Sequence, residues 1–121
     1  MSRVHFLVGL ASAIALAACG GKNDTPSEGC TTEARAGLTV TVFDGSGARV
    51  CDATVTAQDG AFSESLMMLG GASSCNYAGA WERAGTYLVH AARGTSQKDA
   101  TAVVASGTCH VDGQLVTITF D

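Results

Sequence analysis

The chain has few positively charged residues, whereas nucleic-acid-binding proteins need many. Its 121 residues include seven Lys and Arg against eleven Asp and Glu, giving a net charge of −4. The basic residues form no cluster, whereas phosphate backbones bind clustered Lys and Arg that displace counterions. The composition therefore predicts that nucleic acid is not a partner.

The chain offers no apolar run of the roughly 20 residues that a transmembrane helix needs. The apolar run at residues 6–18 has 13 residues, a length typical of a secretory signal peptide of about 7–15 apolar residues. It follows Arg3 and ends in L-A-A-C, which resembles the lipobox of bacterial lipoproteins. The resemblance implies a signal peptide at residues 1–18, cleavage before Cys19, and acylation of the Cys19 thiol and new amino terminus. Because Gly20 rather than Asp follows, it also implies sorting to the outer membrane.

Proline is almost absent, and the single proline falls in a segment without periodicity. Residues 20–29 read GGKNDTPSEG and are rich in glycine and polar residues. Such a composition is typical of a flexible linker. The sequence therefore predicts a lipidated tether at residues 19–29, with the membrane as the first partner of the protein.

Several motifs that carry chemistry are missing as well. The chain has no G-x-S-x-G nucleophile elbow, no Ser-x-x-Lys pair and no Gly-Lys-Ser/Thr phosphate loop. It also lacks the C-x-x-C and H-x-x-x-H spacings of metal sites. We therefore expect no catalytic residue, no metal and no cofactor. His90 is predicted to face solvent or an edge, Met67 and Met68 to lie in the core rather than to bind copper, and Glu82 and Arg83 to form a surface salt bridge. The run Leu66–Leu69 is predicted to cover one open end of the core, with an exposed binding patch as the alternative.

Period-two hydrophobicity occupies most of the remaining chain. Five segments alternate apolar and polar residues, as half-buried strands do, and turn-forming residues separate them. They are LTVTVF from Leu38, ATVTAQ from Ala53, TYLVHAA from Thr86, DATAVVA from Asp99 and QLVTITF from Gln114. Only FSESLMML at residues 62–69 is ambiguous, since it fits a short helix or a poorly patterned strand. The pattern predicts an all-β, antiparallel-rich domain.

Two longer motifs resemble the carboxypeptidase regulatory-like domain. They are GLTVTVFDGSGARVCDATVTAQDG from Gly37 and WERAGTYLVHA from Trp81; the end of the chain, CHVDGQLVTITF, is similar to the closing strand of small bacterial members. The resemblance implies a seven-stranded, transthyretin-like (prealbumin-like) β-sandwich of the Ig-like kind at residues 30–121. The enzymatic branch of that superfamily, hydroxyisourate hydrolase, ends in Y-R-G-S, whereas this chain ends in TITFD. The lack of the Y-R-G-S motif therefore argues against that enzyme.

Four cysteines remain after lipidation, and an even number in an exported chain predicts disulfides. Four cysteines allow three connectivities. In the fold that the chain resembles, the first and last strands run parallel. That direction would place Cys30 and Cys109 at one end of the domain, and Cys51 and Cys75 at the other. The resemblance therefore implies the pairs Cys30–Cys109 and Cys51–Cys75.

Two aromatic residues are candidates for a binding surface. Tyr77 and Trp81 lie close together in the sequence and are predicted to form an aromatic platform at a loop tip or a sheet edge. The sequence therefore predicts a membrane-anchored envelope lipoprotein with a non-catalytic binding or scaffold module, whose partner is an envelope protein or a glycan. The alternative is a small envelope hydrolase or metal-dependent enzyme.

Overall fold

The computed structural model of the protein describes residues 30–71 and 73–121. The chain divides into two compact units, Met1–Thr31 and Thr32–Asp121, and the second contains all the strands described below. The predicted signal peptide at 1–18, the lipidated Cys19 and the tether at 19–29 lie outside the described residues. Within the described ranges, no helix has the length and apolar character needed to cross a bilayer.

The all-β prediction is confirmed, although the predicted count of seven strands is not. The described residues form nine strands, β1 Leu38–Phe43, β2 Thr54–Asp59, β3 Phe62–Ser65, β4 Met67–Leu69, β5 Asn76–Gly79, β6 Gly85–Arg93, β7 Ser96–Ser106, β8 Val111–Asp112 and β9 Gln114–Thr119. The count exceeds seven because short pieces pair separately. Strand β4 has three residues and β8 has two.

The strands form two sheets that share one core, as in a β-sandwich. The four-stranded sheet has the order β4-β5-β1-β9, and the five-stranded sheet has the order β3-β2-β6-β7-β8. Both sheets contribute alternate side chains to the core, since successive residues of a strand point to opposite faces. The main contributors are Leu38, Val40, Val42, Tyr77 and Ile118 from the first sheet, and Val55, Ala57, Tyr87, Val89, Ala91 and Val104 from the second.

The first and last strands run parallel, next to each other. Strand β1 pairs with β9 in parallel from Leu38 opposite Gln114 to Phe43 opposite Thr119, and with β5 in the antiparallel direction. A parallel pair needs a crossover rather than a tight hairpin. Here the whole second sheet lies between β1 and β9 in the sequence, so the two ends of the domain are joined in one sheet.

The ambiguous segment at residues 62–69 is a strand that changes sheets. Strand β3 pairs with β2 in the five-stranded sheet, and β4 pairs with β5 in the four-stranded sheet. Leu66 lies between them, is buried, and donates its backbone N–H to the Val55 carbonyl at 2.8 Å. The prediction that Met67 and Met68 lie in the core is wrong: they are 58% and 44% exposed on the outermost strand. Leu66 takes the buried position instead.

The β6–β7 hairpin is longer than predicted. Residues 93–98 (RGTSQK) lie between the predicted strands TYLVHAA and DATAVVA, but Arg93 pairs with Ser96 and only Gly94 and Thr95 form the turn. Gly94 has φ = +60°, a conformation that glycine adopts without steric cost and that two-residue hairpins require. The tight turn fixes the register of β6 and β7.

Candidate functional site

Tyr77 is a core residue and takes no part in a surface platform. It is 3% exposed on β5, and its hydroxyl donates to the Val50 carbonyl at 2.9 Å and accepts from the Ala53 N–H at 3.1 Å. A buried tyrosine whose hydroxyl is satisfied in this way ties distant segments together. The predicted pairing of Tyr77 with Trp81 as an aromatic platform is therefore wrong.

Trp81 is exposed, at 40%, in the connection between β5 and β6. Its neighbours Ala80 and Glu82 have φ of +54° and +50°, a left-handed conformation that costs a non-glycine residue about 1–2 kcal/mol. Backbone bonds hold this turn: Arg83 N–H donates to the Ala80 carbonyl at 3.1 Å, and Glu82 N–H donates to the Arg35 carbonyl at 2.9 Å. The strained turn presents the indole to solvent.

A cleft of about 210 Å³ lies beside Trp81. Its walls come from β3 and from the β5–β6 connection, and they are Phe62, Glu64, Ala80, Trp81 and Arg83. Phe62 and Glu64 are two residues apart on a strand, so their side chains share a face. The cleft therefore combines aromatic rings with one acidic and one basic group.

Glu64 joins the two walls of the cleft. Its Oε1 accepts the Ala80 backbone N–H at 2.8 Å, which fixes the start of the turn that carries Trp81. Gly79 permits this approach, because a Cβ there would contact the Leu66 side chain and lie 3.1 Å from Glu64 Oε1. The carboxylate is thus held next to the indole.

Arg83 closes the inner side of the cleft. Its Nη1 donates to Asp59 Oδ2 and to the Tyr87 hydroxyl, both at 3.0 Å, and its guanidinium carbon lies 3.9 Å from the centre of the Phe62 ring. The Tyr87 hydroxyl in turn donates to the Arg83 carbonyl at 2.7 Å. Hydrogen bonds to Tyr87 and then to Asp59 raise the pKa of Arg83 above its usual value. Arg83 is therefore a charged, fixed part of the wall.

The expected salt bridge between Glu82 and Arg83 does not form. Glu82 turns away from Arg83: its Oε2 lies 2.5 Å from His110 Nδ1 and accepts the Arg35 N–H at 2.9 Å, and its Oε1 accepts the Val111 N–H at 3.2 Å. Adjacent residues diverge because each has nearer partners on other segments. Glu82 therefore fastens the turn to the segments of Arg35 and His110, and it does not line the cleft.

The Glu82 carboxylate makes the stability of the domain depend on pH. Its pKa lies below the usual 4.5, chiefly because His110 hydrogen-bonds it. A carboxyl whose pKa is lowered by folding stabilises the fold above its unfolded-state pKa, and this contribution is lost as the pH falls through the folded-state value. We expect Glu82→Gln to lower the free energy of unfolding near neutral pH and to match the wild type well below pH 4.5.

Urea unfolding from about pH 3 to about pH 7 measures this difference. Glu33→Gln is the matched control, since Glu33 is exposed and, among the described residues, pairs with the Arg35 side chain alone, across a surface bridge of 2.9 Å. An equal loss of stability in both variants across this range would contradict the role of Glu82.

A second cleft, of about 340 Å³, lies on the β6–β7 hairpin and is lined by His90, Gln97, Lys98 and Asp99. The His90 side chain is partly exposed, and its Nδ1 lies 2.5 Å from Asp99 Oδ1. The prediction that His90 faces solvent fits this position. The prediction of an edge position does not, because β6 has a neighbouring strand on each side, β2 and β7. The described residues that line this cleft include no serine, threonine or cysteine.

The described cysteines are all oxidised. Cys51 is bonded to Cys75, with Cα atoms 4.9 Å apart, and Cys30 and Cys109 are also disulfide-bonded. Among residues 30–71 and 73–121, no group of three or more His, Cys, Asp or Glu side chains has the arrangement of a metal site. The cysteines of this region therefore cross-link the chain.

Comparison with protein-family models, with curated proteins and with solved structures finds no match to this chain. Its function must therefore be argued from its own residues. Sequence reasoning found Trp81 but missed Phe62 and Glu64, although the alternation F-x-E would have placed them on one face had the strand been chosen over the helix.

Proposed function

We propose that this protein is a lipid-anchored lipoprotein of the cell envelope whose β-sandwich domain binds a partner, without catalysis, through the cleft at Trp81. The observation that carries the proposal is the exposed indole of Trp81 in a cleft that is also lined by a fixed carboxylate and a fixed guanidinium. An aromatic ring with a few well-placed polar groups is typical of a binding site. The L-A-A-C motif at Leu16–Cys19 supports the anchor, with the outer membrane as its destination.

Two further features support a binding module rather than an enzyme. The polar groups of the cleft already hold structure, Glu64 on the Ala80 N–H and Arg83 on Asp59 and Tyr87. The residues that line the cleft include no serine, threonine, cysteine or histidine. A nucleophile, a base and an orienting group in mutual reach would be needed for hydrolysis.

The domain is, in this proposal, of the carboxypeptidase regulatory-like kind. The parallel pairing of β1 with β9 supports it, because the transthyretin-like fold has its first and last strands in that direction. The two-sheet arrangement with one core is compatible with the same class.

Photo-crosslinking in living cells tests the site. A photoreactive amino acid at position 81 should give a discrete adduct with an envelope component, because that position borders the cleft. The matched control is position 115, where Leu115 is 85% exposed on β9, the strand farthest from β4 in its sheet. Equal labelling from both positions, or no adduct from position 81, would contradict the proposed binding surface.

A further inference from the structure

The described residues that line the cleft at Trp81 include two aromatic rings, each with a carboxylate nearby, but only one cation. Arg83 lies over the Phe62 ring at 3.9 Å and pairs with Asp59 at 3.0 Å, so the first aromatic and carboxylate are satisfied together. Trp81 and Glu64 make the second pair. In the described part of the chain, no Lys or Arg lies over the Trp81 ring or forms a salt bridge with Glu64.

Glu64, which lines the cleft, can accept a further hydrogen bond. Its Oε1 accepts the Ala80 N–H, while its Oε2 has no hydrogen-bond partner among the described residues. An ionised carboxylate accepts through both oxygens and bonds most strongly to cationic donors. Glu64 is thus prepared to receive a positively charged donor beside the indole.

The charges around the cleft favour a cation over an anion. Asp59 offsets the charge of Arg83 across their 3.0 Å bridge, which leaves the charge of Glu64 uncompensated. The chain as a whole carries −4, and a field of one sign concentrates ligands of the other. Tryptophan is also the aromatic residue that binds cations best through its ring face.

The size of the cleft limits what enters it. Its volume of about 210 Å³ is below the roughly 300–1,000 Å³ of pockets for drug-sized ligands. One long side chain fits such a space, and the rest of its protein would remain outside on the surface.

We propose that the cleft binds a lysine or arginine side chain of a basic partner protein, with the cationic group on the Trp81 ring and paired with Glu64. The inference rests on the proposed binding function of the cleft and names the chemistry of its partner. The bound cation would contact the Trp81 ring as the Arg83 guanidinium contacts the Phe62 ring.

Trp81 itself reports on binding, because the chain contains one tryptophan. We would titrate the full-length protein in nonionic detergent with a tetralysine peptide, a tetra-arginine peptide, and a tetralysine peptide acetylated on its side chains. The unmodified peptides should change the Trp81 fluorescence saturably and the acetylated peptide should not. Raising the salt should weaken the binding, since the attraction between exposed charges is screened.

Glu64→Gln is the decisive variant. Its amide oxygen can still accept the Ala80 N–H, so the turn keeps its anchor, while the charge is removed. We expect its affinity for tetralysine to fall about fivefold or more. Asp52→Asn is the matched control, because Asp52 also carries one negative charge and is 76% exposed. Asp52 lies before the start of β2, whereas Asp59, which pairs with Arg83 of the cleft, lies at the end of that strand. Its affinity should stay within about twofold of the wild type.

Three outcomes would overturn the inference. They are no response to either basic peptide, an equal response to the acetylated peptide, and an equal loss of affinity in Glu64→Gln and Asp52→Asn, which would indicate diffuse attraction. The proposed function can survive this failure: if position 81 still crosslinks to a glycan or to an acidic protein, the cleft binds a partner of other chemistry. If position 81 gives no adduct either, both proposals fail.

Discussion

Replacing Cys51 and Cys75 together by alanine should lower the free energy of unfolding by about 3.5 kcal/mol, because the cross-link closes a loop that the unfolded chain would otherwise sample freely. The two residues are 24 positions apart, and the entropy of closing a loop of that length sets the figure. For a small domain, whose total stability is about 5–15 kcal/mol, this is a large share. Denaturant unfolding of the full-length protein without reductant measures it.

The structure around the Cys51–Cys75 disulfide explains why its loss should destabilise both sheets. Cys51 precedes β2 in one sheet, and Cys75 precedes β5 in the other. The same junction is held by the Tyr77 hydroxyl on Val50 and by Arg49 Nη1, which donates to the Ser74 carbonyl at 2.7 Å. The disulfide therefore fastens one end of the sandwich.

A reductant separates the effect of the cross-link from that of the side chains. In a reducing buffer the wild type also lacks the bond, so the wild type and the double variant should differ by no more than about 1 kcal/mol. Equal stability of the two without reductant would contradict the prediction. Mass mapping of the unreduced protein adds the second pair, which is predicted to be Cys30–Cys109. A map that joins Cys51 to Cys109 would be incompatible with the bond described here.

Long strands with one wet face were predictable from the sequence. In β1 the burial of side chains alternates strictly from Leu38 to Phe43, and it follows the apolar and polar letters as far as Val42; Phe43 is apolar but only half-buried. The same holds for Tyr87, Val89 and Ala91 on β6. Period two gives a clear signal in these segments because most side chains match the face on which they lie; Leu88 on β6 is an exception, since it is apolar and 43% exposed.

Short strands and sheet changes were not predictable in the same way. Strand β5 has four residues, and Tyr77, Ala78 and Gly79 are all buried, so no alternation exists to be read. The segment at 62–69 alternates only as far as Ser65, because at Leu66 the chain leaves one sheet for the other. An alternation with a period of two cannot continue through Leu66, because the residues after it belong to the other sheet, where a different set of side chains faces the core.

The cleft was only partly within reach of the sequence. Trp81 was identified as an exposed aromatic candidate, but Tyr77, four positions earlier, belongs to a strand whose face points to the core. The Arg83–Asp59 pair joins residues 24 positions apart. Such a pair depends on how β2 and β6 are placed in the sheet, which local patterns do not encode.

The predicted lipidation of Cys19 can be tested by a substitution whose expected effect is all or none. Cys19→Ser should abolish labelling of the protein by a fatty-acid analogue and should block signal cleavage, because the resemblance of L-A-A-C to the lipobox makes the Cys19 thiol the lipidated group. The unprocessed chain should migrate more slowly on a gel than the mature protein. Cys30→Ser is the matched control: it removes one cysteine after the tether, together with the disulfide that Cys30 forms, and should leave lipid labelling unchanged.

The location of the protein depends on the same cysteine. Two or three acyl chains hold a protein firmly in a bilayer where one binds reversibly, since each buried CH₂ contributes about 0.8 kcal/mol. The wild type should therefore fractionate with the outer membrane, as Gly20 after Cys19 implies. Recovery in the inner membrane would contradict the sorting prediction alone. A Cys19→Ser variant that still matures and partitions into detergent would contradict the lipid anchor, and the binding domain would then need another route to the membrane.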